Sequence, residues 1–294
     1  MPWSRADLQQ RLERLPPGHP SSPRTGDADI NHLAENSDRE PDTAKRDYWT
    51  EVPRFLRAWA DYMHRWPAER ATSAVDRSQD PEGSWRGDGG QYLSPKEHAQ
   101  ANDVIATVQQ KEKIVTGHMI ETERENTCGG WLAGLKFARK GEERLKEKIA
   151  DELGITPAIK PEEAISKLND VIRYTFCFEP EDYAAGYSDV RQRLEAREYR
   201  MVYCKNHWRD DPEYKGINTR WRTPEGQRFE VQFHTAESYH AKQEVTHSSY
   251  ERIRNPLTSD DERGELEAFQ REVSRWIPVP EGAREILDYS VRGR

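Results

Sequence analysis

The heptapeptide FEVQFHT, Phe229 to Thr235, alternates apolar and polar residues. In a β-strand successive side chains point to opposite faces. The alternation predicts that Phe229, Val231 and Phe233 are buried, with Glu230, Gln232 and His234 in a row on the other face. A second acid, Asp170, stands at the mouth of another strand-like run, VIRYTFCF. Two carboxylates converging from adjacent strands can share a hard divalent cation, and Mg²⁺ is the usual one where phosphates supply the remaining oxygens. Acids at strand ends are common and mostly solvated, so the pair gains meaning only from what accompanies it.

Its company is basic and aromatic. The segment GLKFARKGEERLKEKI carries Lys136, Arg139, Lys140, Arg144, Lys146 and Lys148. On a helix Lys148 lies one turn from Arg144, and Lys140 sits just before the turn at Gly141. That spacing can grip a polyphosphate by charge-assisted hydrogen bonds. For Lys146 a solvated helix face is the better reading; for Lys140, Arg144 and Lys148 the two readings stay open. Tyr214, at the start of YKGIN, offers a flat platform for a nucleobase, and an ordinary half-buried strand tyrosine would look the same. Metal-binding acids, a polyphosphate grip and a base platform together suggest nucleotidyl or pyrophosphoryl transfer.

The elements that must position these groups follow from pattern. Residues 1–45 are rich in Pro, Gly, Ser and Asp and read as a loop-rich or disordered segment. Residues 46–127 read as a helical region. Trp49, Val52, Leu56, Trp59 and Met63 recur at three-to-four spacing in its first helix. A second helix starts at Ser94-Pro95-Lys96-Glu97, with Ser94 as cap, Pro95 at the first position and Glu97 completing a capping box. Residues 128–256 alternate strands and helices, with a hairpin turning at Pro224-Glu225-Gly226 and a polar helix over 236–254 ended by Asn255-Pro256. Residues 257–294 add a helix capped by Ser259 and a tail. The expected fold class is α+β, a mixed β-sheet flanked by helices.

Composition bounds the function. The chain has 294 residues, 34 % hydrophobic and 33 % charged, with net charge −8, and its mean hydropathy is −1.07. A globally basic nucleic-acid binder is disfavoured, while a local basic groove is not. No apolar run is long enough for a transmembrane helix, and MPWSRADLQQRLERL lacks the apolar stretch of a secretory signal. The expectation is a cytoplasmic protein, or one exported by a route without such a signal. Cys128, Cys177 and Cys204 suit neither a disulfide framework nor a zinc knuckle and read as reduced thiols.

DVIRYTF, YKGIN and FEVQFHT, in that order and spacing, resemble the synthetase domain of the RelA/SpoT family, and GLKFARKGEERLKEKI resembles its ATP-binding segment. The resemblance covers about residues 128–256 and is nearest in character to actinobacterial nucleotide 3′-pyrophosphokinases and RelA-like toxin domains. It implies a nucleotidyltransferase-like fold that moves the β,γ-diphosphate of ATP to the 3′-hydroxyl of a second nucleotide. It also implies that Asp170 and Glu230 hold Mg²⁺, with Glu230 a candidate base for the acceptor hydroxyl. Lys140, Lys148, Arg144, Arg139 and Arg173 fall to the ATP side, and Tyr214, Lys205, Asn218, Gln232 and His234 to the acceptor side. Ala138 stands where the family has an arginine, with Arg139 adjacent. Asn218 replaces a usual histidine, and His234 a usual arginine. The last two changes lie near the acceptor, and the expected acceptor is a purine nucleotide, adenine favoured over guanine.

The alternatives are a (p)ppGpp synthetase, a toxin that pyrophosphorylates the 3′ end of tRNA and carries an immunity partner, and a non-catalytic nucleotide-binding module. A tRNA acceptor would require a basic surface beside the cleft. His240, Glu244 and His247 also fall at i, i+4 and i+7 on the polar helix, a pattern that would suit a transition metal and a hydrolase. No fourth ligand is evident for it.

Overall fold

The structure, a computed structural model, describes residues 47–66, 77–138, 140–156, 159–168, 170–255 and 257–291. The expectations for residues 1–45, for Arg139 and for Pro256 fall outside these. The described helices are α1 (Tyr48–Arg65), α2 (Pro95–Glu125), α3 (Glu142–Ile155), α4 (Pro161–Lys167), α5 (Tyr183–Ala196), α6 (His207–Asp210), α7 (Ala236–His240), α8 (His247–Ile253) and α9 (Asp260–Arg275). The strands are β1 (Trp85–Arg86), β2 (Tyr92–Leu93), β3 (Trp131–Ala133), β4 (Arg173–Cys177), β5 (Arg200–Asn206), β6 (Ile217–Arg222), β7 (Arg228–His234) and β8 (Tyr289–Ser290). The chain divides into two compact units interleaved in sequence. Of the described residues, one holds those within 77–206, 217–233 and 281–291; the other holds 47–66, 207–216 and those within 234–280.

The first unit is built on a sheet with strand order β3-β4-β7-β6-β5-β8. Its pairs β3/β4, β6/β7, β5/β6 and β5/β8 are antiparallel. β4 and β7 run in the same direction. The Glu230 N–H donates to the Ile172 carbonyl near their starts, at 2.9 Å, and the Phe176 and Phe233 rings stack 6.3 Å apart near their ends. The sheet is therefore mixed and the class α+β, as the alternation of elements leads one to expect. Ile217, Trp221, Phe229, Val231 and Phe233 are fully buried, each contributing roughly 1.5–3 kcal/mol by leaving water. On the helical side of this core, α5 approaches so closely that a Cβ at Gly186 would lie 2.1 Å from Phe178 Cε1. Ser94 and Glu97 form the expected capping box at the head of α2. The β6–β7 turn closes through Gly226, whose φ of 85° suits glycine. A register shift between Met201 and Tyr203 marks a bulge in β5, which puts Tyr203 and Lys205 on the polar face and Cys204 in the core.

The second unit is helical. Its α1 buries Tyr48, Val52, Phe55, Ala58 and Tyr62, so the expected stripe is rotated: Val52 is kept, while Leu56 and Met63 are exposed. Hydropathy ranks Tyr below Leu and Met, but both tyrosines find buried polar partners, His240 for Tyr48 and Glu262 for Tyr62. The expected continuous helix over 236–254 is also corrected. A π turn, Ala241–Val245, separates α7 from α8, with the Thr246 N–H donating to Ala241 O at 2.8 Å. α9 is capped at Ser259, as expected, and buries Leu266, Phe269 and Val273. No helix among the described residues is long and apolar enough to cross a membrane.

Candidate active site

Backbone pairing brings the chemistry of the sheet unit together. The Lys140 N–H donates to the Val171 carbonyl at 3.2 Å, and the Arg173 N–H to the Ala138 carbonyl at 2.7 Å. The start of β4 thus runs between the 138–140 segment and β7, and Lys140, Asp170 with Arg173, and Glu230 come from three neighbouring stretches of chain.

Their side chains form one ion cluster. Lys140 Nζ lies 3.1 Å from Asp170 Oδ2, and Lys148 Nζ lies 3.2 Å from Asp170 Oδ1. Arg173 bridges the two acids: its Nη2 is 3.3 Å from Asp170 Oδ2 and its Nε donates to Glu230 Oε2 at 3.0 Å. Gln232 Nε2 donates to Glu230 Oε1 at 2.7 Å. Lys148 reaches Asp170 because α3 buries Leu145 and Ile149, which turns position 148 toward the sheet.

Burial and charge compete here. Burial pushes the Asp170 carboxyl up, but Lys140, Lys148 and Arg173 together outweigh it and hold Asp170 below its ordinary value. Lys140 is held below the ordinary lysine value, chiefly by burial and with Arg173 and Lys148 adding repulsion, while Asp170 opposes the shift. The cluster sits in a partly open position. The Lys140, Lys148 and Asp170 side chains each keep about a quarter of their exposure, at 23 %, 24 % and 25 %, while that of Glu230 keeps 10 %.

Asp170 and Glu230, joined through the Arg173 guanidinium, are the hard-oxygen side chains that this cluster could offer to a divalent cation such as Mg²⁺. Among the described residues no group of three or more His, Cys, Asp or Glu is placed to hold a metal ion.

The polar face of the sheet extends the site. Lys205, Asn218 and Gln232 are register partners across β5, β6 and β7, and Tyr203, Arg220 and Glu230 form the adjacent row. Three residues predicted for the acceptor side thus share one line next to Glu230. Lys205 Nζ donates to Asp288 Oδ2 at 2.8 Å. Arg144 is not brought into the cluster; its guanidinium pairs with Glu147 at 2.6 Å on an exposed helix face.

Tyr214 and His234 belong to the helical unit. The Tyr214 hydroxyl bonds His234 Nε2 at 2.9 Å, and His234 Nδ1 bonds Ser238 Oγ at 2.9 Å. The His207 ring meets the Tyr214 ring edge-on, 4.9 Å between centroids and 89° between planes. His207 in turn bonds Asp211 Oδ2 at 2.6 Å, and Asp211 Oδ1 accepts the Glu213 and Tyr214 N–H groups. Burial alone would raise the Asp211 pKa, but His207 and these N–H donors bring it below the ordinary value. Sequence reasoning passed over His207 and Asp211, although their i, i+4 spacing just before Tyr214 is a legible signal. It also passed over the arginines of β6 and β7.

His240 does not make a metal face with Glu244 and His247. Its Nδ1 is engaged by the Tyr48 hydroxyl at 2.8 Å, and burial lowers its pKa to about 4. The π turn also breaks the regular α-helical spacing that the metal pattern assumed.

No protein-family model matches the chain, and no curated protein does. Among solved structures it is similar to a GTP pyrophosphokinase family protein from Streptococcus pneumoniae, at 18 % identity and TM-score 0.40, over 62 % of this chain and 89 % of that one. It is similar to the complex of the type VI effector Tas1 with its immunity protein, at 18 % identity and TM-score 0.37, over 62 % and 94 %. It is also similar to small alarmone synthetase 1 from Bacillus subtilis bound to pppGpp, at 13 % identity and TM-score 0.34, over 57 % and 85 %. The roles of individual residues rest on the geometry above and not on these likenesses.

Proposed function

We propose that this chain is an ATP-dependent pyrophosphotransferase that moves the β,γ-diphosphate of ATP to the 3′-hydroxyl of a purine nucleotide, adenine favoured. The observation that carries the proposal is the bridging of Asp170 and Glu230 by Arg173, with Lys140 and Lys148 gathered on Asp170. Three cations against two carboxylates leave an excess positive charge suited to a polyphosphate. In this reading Lys140 and Lys148 exchange the Asp170 oxygens for donor phosphate oxygens, and Asp170 and Glu230 would be the residues to hold Mg²⁺. The ion, when bound, supplies charge neutralisation on the donor phosphates. In the transfer the acceptor 3′-oxygen bonds to the β-phosphorus, the bond from that phosphorus to the α,β-bridging oxygen breaks, and AMP leaves. Glu230 takes the hydroxyl proton, and Gln232 fixes its carboxylate by the bond to Oε1. Positioning and electrostatics supply most of the rate in such transfers. Tyr214 is proposed as the acceptor-base platform, its hydroxyl anchored by His234.

Incubation with γ-³²P-ATP, Mg²⁺ and each of AMP, ADP, ATP, GDP, GTP and bulk tRNA tests this. The expected result is label in a 3′-diphosphorylated adenine nucleotide. Label on guanine nucleotides or tRNA alone would overturn the adenine preference, and no labelled acceptor at all would overturn the transfer.

A further inference from the structure

The far end of the same sheet carries charge that the transfer reaction does not use. Arg222 is the register partner of Arg228 on β7 and of Arg200 on β5. Directly opposed residues of antiparallel strands share a face, with Cβ atoms about 4.5–5.5 Å apart, and like charges so placed destabilise a sheet. Arg220, two residues from Arg222, joins them on that face and lies over the Tyr203 ring at 4.4 Å. The Arg228 pKa is lowered, first by burial and then by Arg222 and Arg220. Arg200, Arg222 and Arg228, aligned across β5, β6 and β7, concentrate positive charge on one stretch of the sheet, where an anion is stabilised.

A cavity opens beside two of these arginines. It measures about 430 Å³ and lies among α2, α4 and the β6–β7 turn. Lys111, Arg222 and Arg228 supply its cations, and Glu162 and Glu225 its acids. Val104, Val108, Ile165 and Leu168 supply an apolar wall. Glu225 is held below its ordinary pKa by its own backbone N–H and by Thr223, with Lys111 adding to the effect. The volume falls in the range of small-molecule sites, which pair an apolar lining with a few convergent polar groups.

We propose that this cavity is a second ligand site for a phosphate-bearing small molecule of mononucleotide size. Its phosphate is held by Arg222, Arg228 and Lys111, and its flat or apolar body lies against Val104, Val108, Ile165 and Leu168. The site does not depend on the transfer reaction, since none of these residues belongs to the Asp170–Glu230 cluster.

The test is methyl NMR of the full chain with labelled Val, Ile and Leu, titrated without ATP or Mg²⁺. The probes are sodium pyrophosphate, for the anion alone, and AMP, for anion plus flat body. The expected result is saturable movement of the Val104, Val108 and Ile165 methyl signals with both probes, tighter for AMP. R222Q and K111Q, at solvent-accessible positions, should each weaken AMP binding at this site about tenfold. A chain with Lys140 and Lys148 both changed to Ala should show the same shifts as the parent. Absence of movement with both probes overturns the proposal. Equal affinity for the two probes overturns the apolar half of it. Shifts that vanish in the Lys140/Lys148 variant would assign the anion to the donor cluster, overturning this site while leaving the transfer reading intact.

Discussion

The sheet unit and the helical unit both bury ionisable groups, and they do so in opposite ways. In the helical unit Glu262, 3 % exposed, accepts hydrogen bonds from the Tyr62 hydroxyl and from Arg252 Nε, and His240 is sealed against Tyr48. Here the acid itself is enclosed, although its partner Arg252 keeps 23 % of its side-chain exposure. In the sheet unit Asp170 is held by Lys140, Lys148 and Arg173, long side chains that each keep access to water. An acid enclosed by packing, as Glu262 is, keeps its partners, whereas an acid with a quarter of its side chain open to water, as Asp170 has, can change them. The difference separates structural charge from charge available for chemistry, and it can be tested at both ends.

The largest effect belongs to the exchangeable cluster. Glu230→Gln keeps the shape and the Gln232 contact but removes the proton acceptor and one charge. Transfer should fall by about 10³–10⁴-fold, roughly 4–5.5 kcal/mol in the barrier, with ATP binding by calorimetry largely kept. Retained turnover would remove Glu230 from the chemistry.

The matching break in the sealed unit is Glu262→Ala, which leaves Arg252 and Tyr62 without their acceptor. Arg252 stays partly open to water, so the cost is mainly that of the buried Tyr62 hydroxyl losing its acceptor, about 1–3 kcal/mol. Urea unfolding should show that loss. Were Glu262 merely peripheral, the change would stay within experimental scatter.

Acid should also tell the units apart. His240 takes its proton at about 4 in the folded protein and near 6.5 when unfolded. Between those values the unfolded chain binds more protons, so stability is complete above about 6.5 and declines as pH falls toward 4, by about 3 kcal/mol in all. The Trp49 ring lies 5.0 Å from His240, and its Nε1 donates to Glu237. Burial and these acids, Glu237 and Glu244, keep the Tyr48 phenol protonated. Asp170 has the same sign in a lower window: its pKa is also depressed on folding, so its contribution is complete above the ordinary carboxylate value and is lost as pH falls through and below that value. Unfolding followed from pH 7 to pH 4.5 should lose stability in the parent and lose much less in His240→Gln.

A smaller effect is expected at the donor grip. Lys148→Gln removes one of two lysines on Asp170 and should raise the KM for ATP about 10–100-fold, roughly 1.4–2.8 kcal/mol, with kcat changed less. An unchanged KM would move the polyphosphate elsewhere.

How much of this was legible beforehand depended on whether a signal was local. FEVQFHT announced its two faces because strand alternation is a property of the strand itself, and the capping boxes at Ser94 and the Ser259 cap likewise need only neighbouring residues. Asp170 and Glu230 could be paired only through a resemblance in motif order, since nothing local says that β4 lies beside β7. The α1 face was misjudged because the burial of Tyr48 and Tyr62 is decided by His240 and Glu262, some 200 positions away. The row of Arg200, Arg222 and Arg228 was invisible for the same reason: it exists only in the register of three strands.

Arg144 gives the most discriminating small result. In the sequence it stands one helical turn from Lys148 and looks like an equal member of the polyphosphate grip. In the structure its guanidinium pairs with Glu147 one turn away, and more than half of the side chain, 57 %, is exposed. Such surface pairs contribute between nothing and about 1 kcal/mol. Arg144→Ala should therefore leave the KM for ATP within about twofold and stability within about 0.5 kcal/mol, in contrast to Lys148→Gln on the same helix. If instead the two variants lose ATP affinity alike, Arg144 must leave Glu147 for the donor when nucleotide binds, and the boundary of the exchangeable cluster extends one turn further along α3.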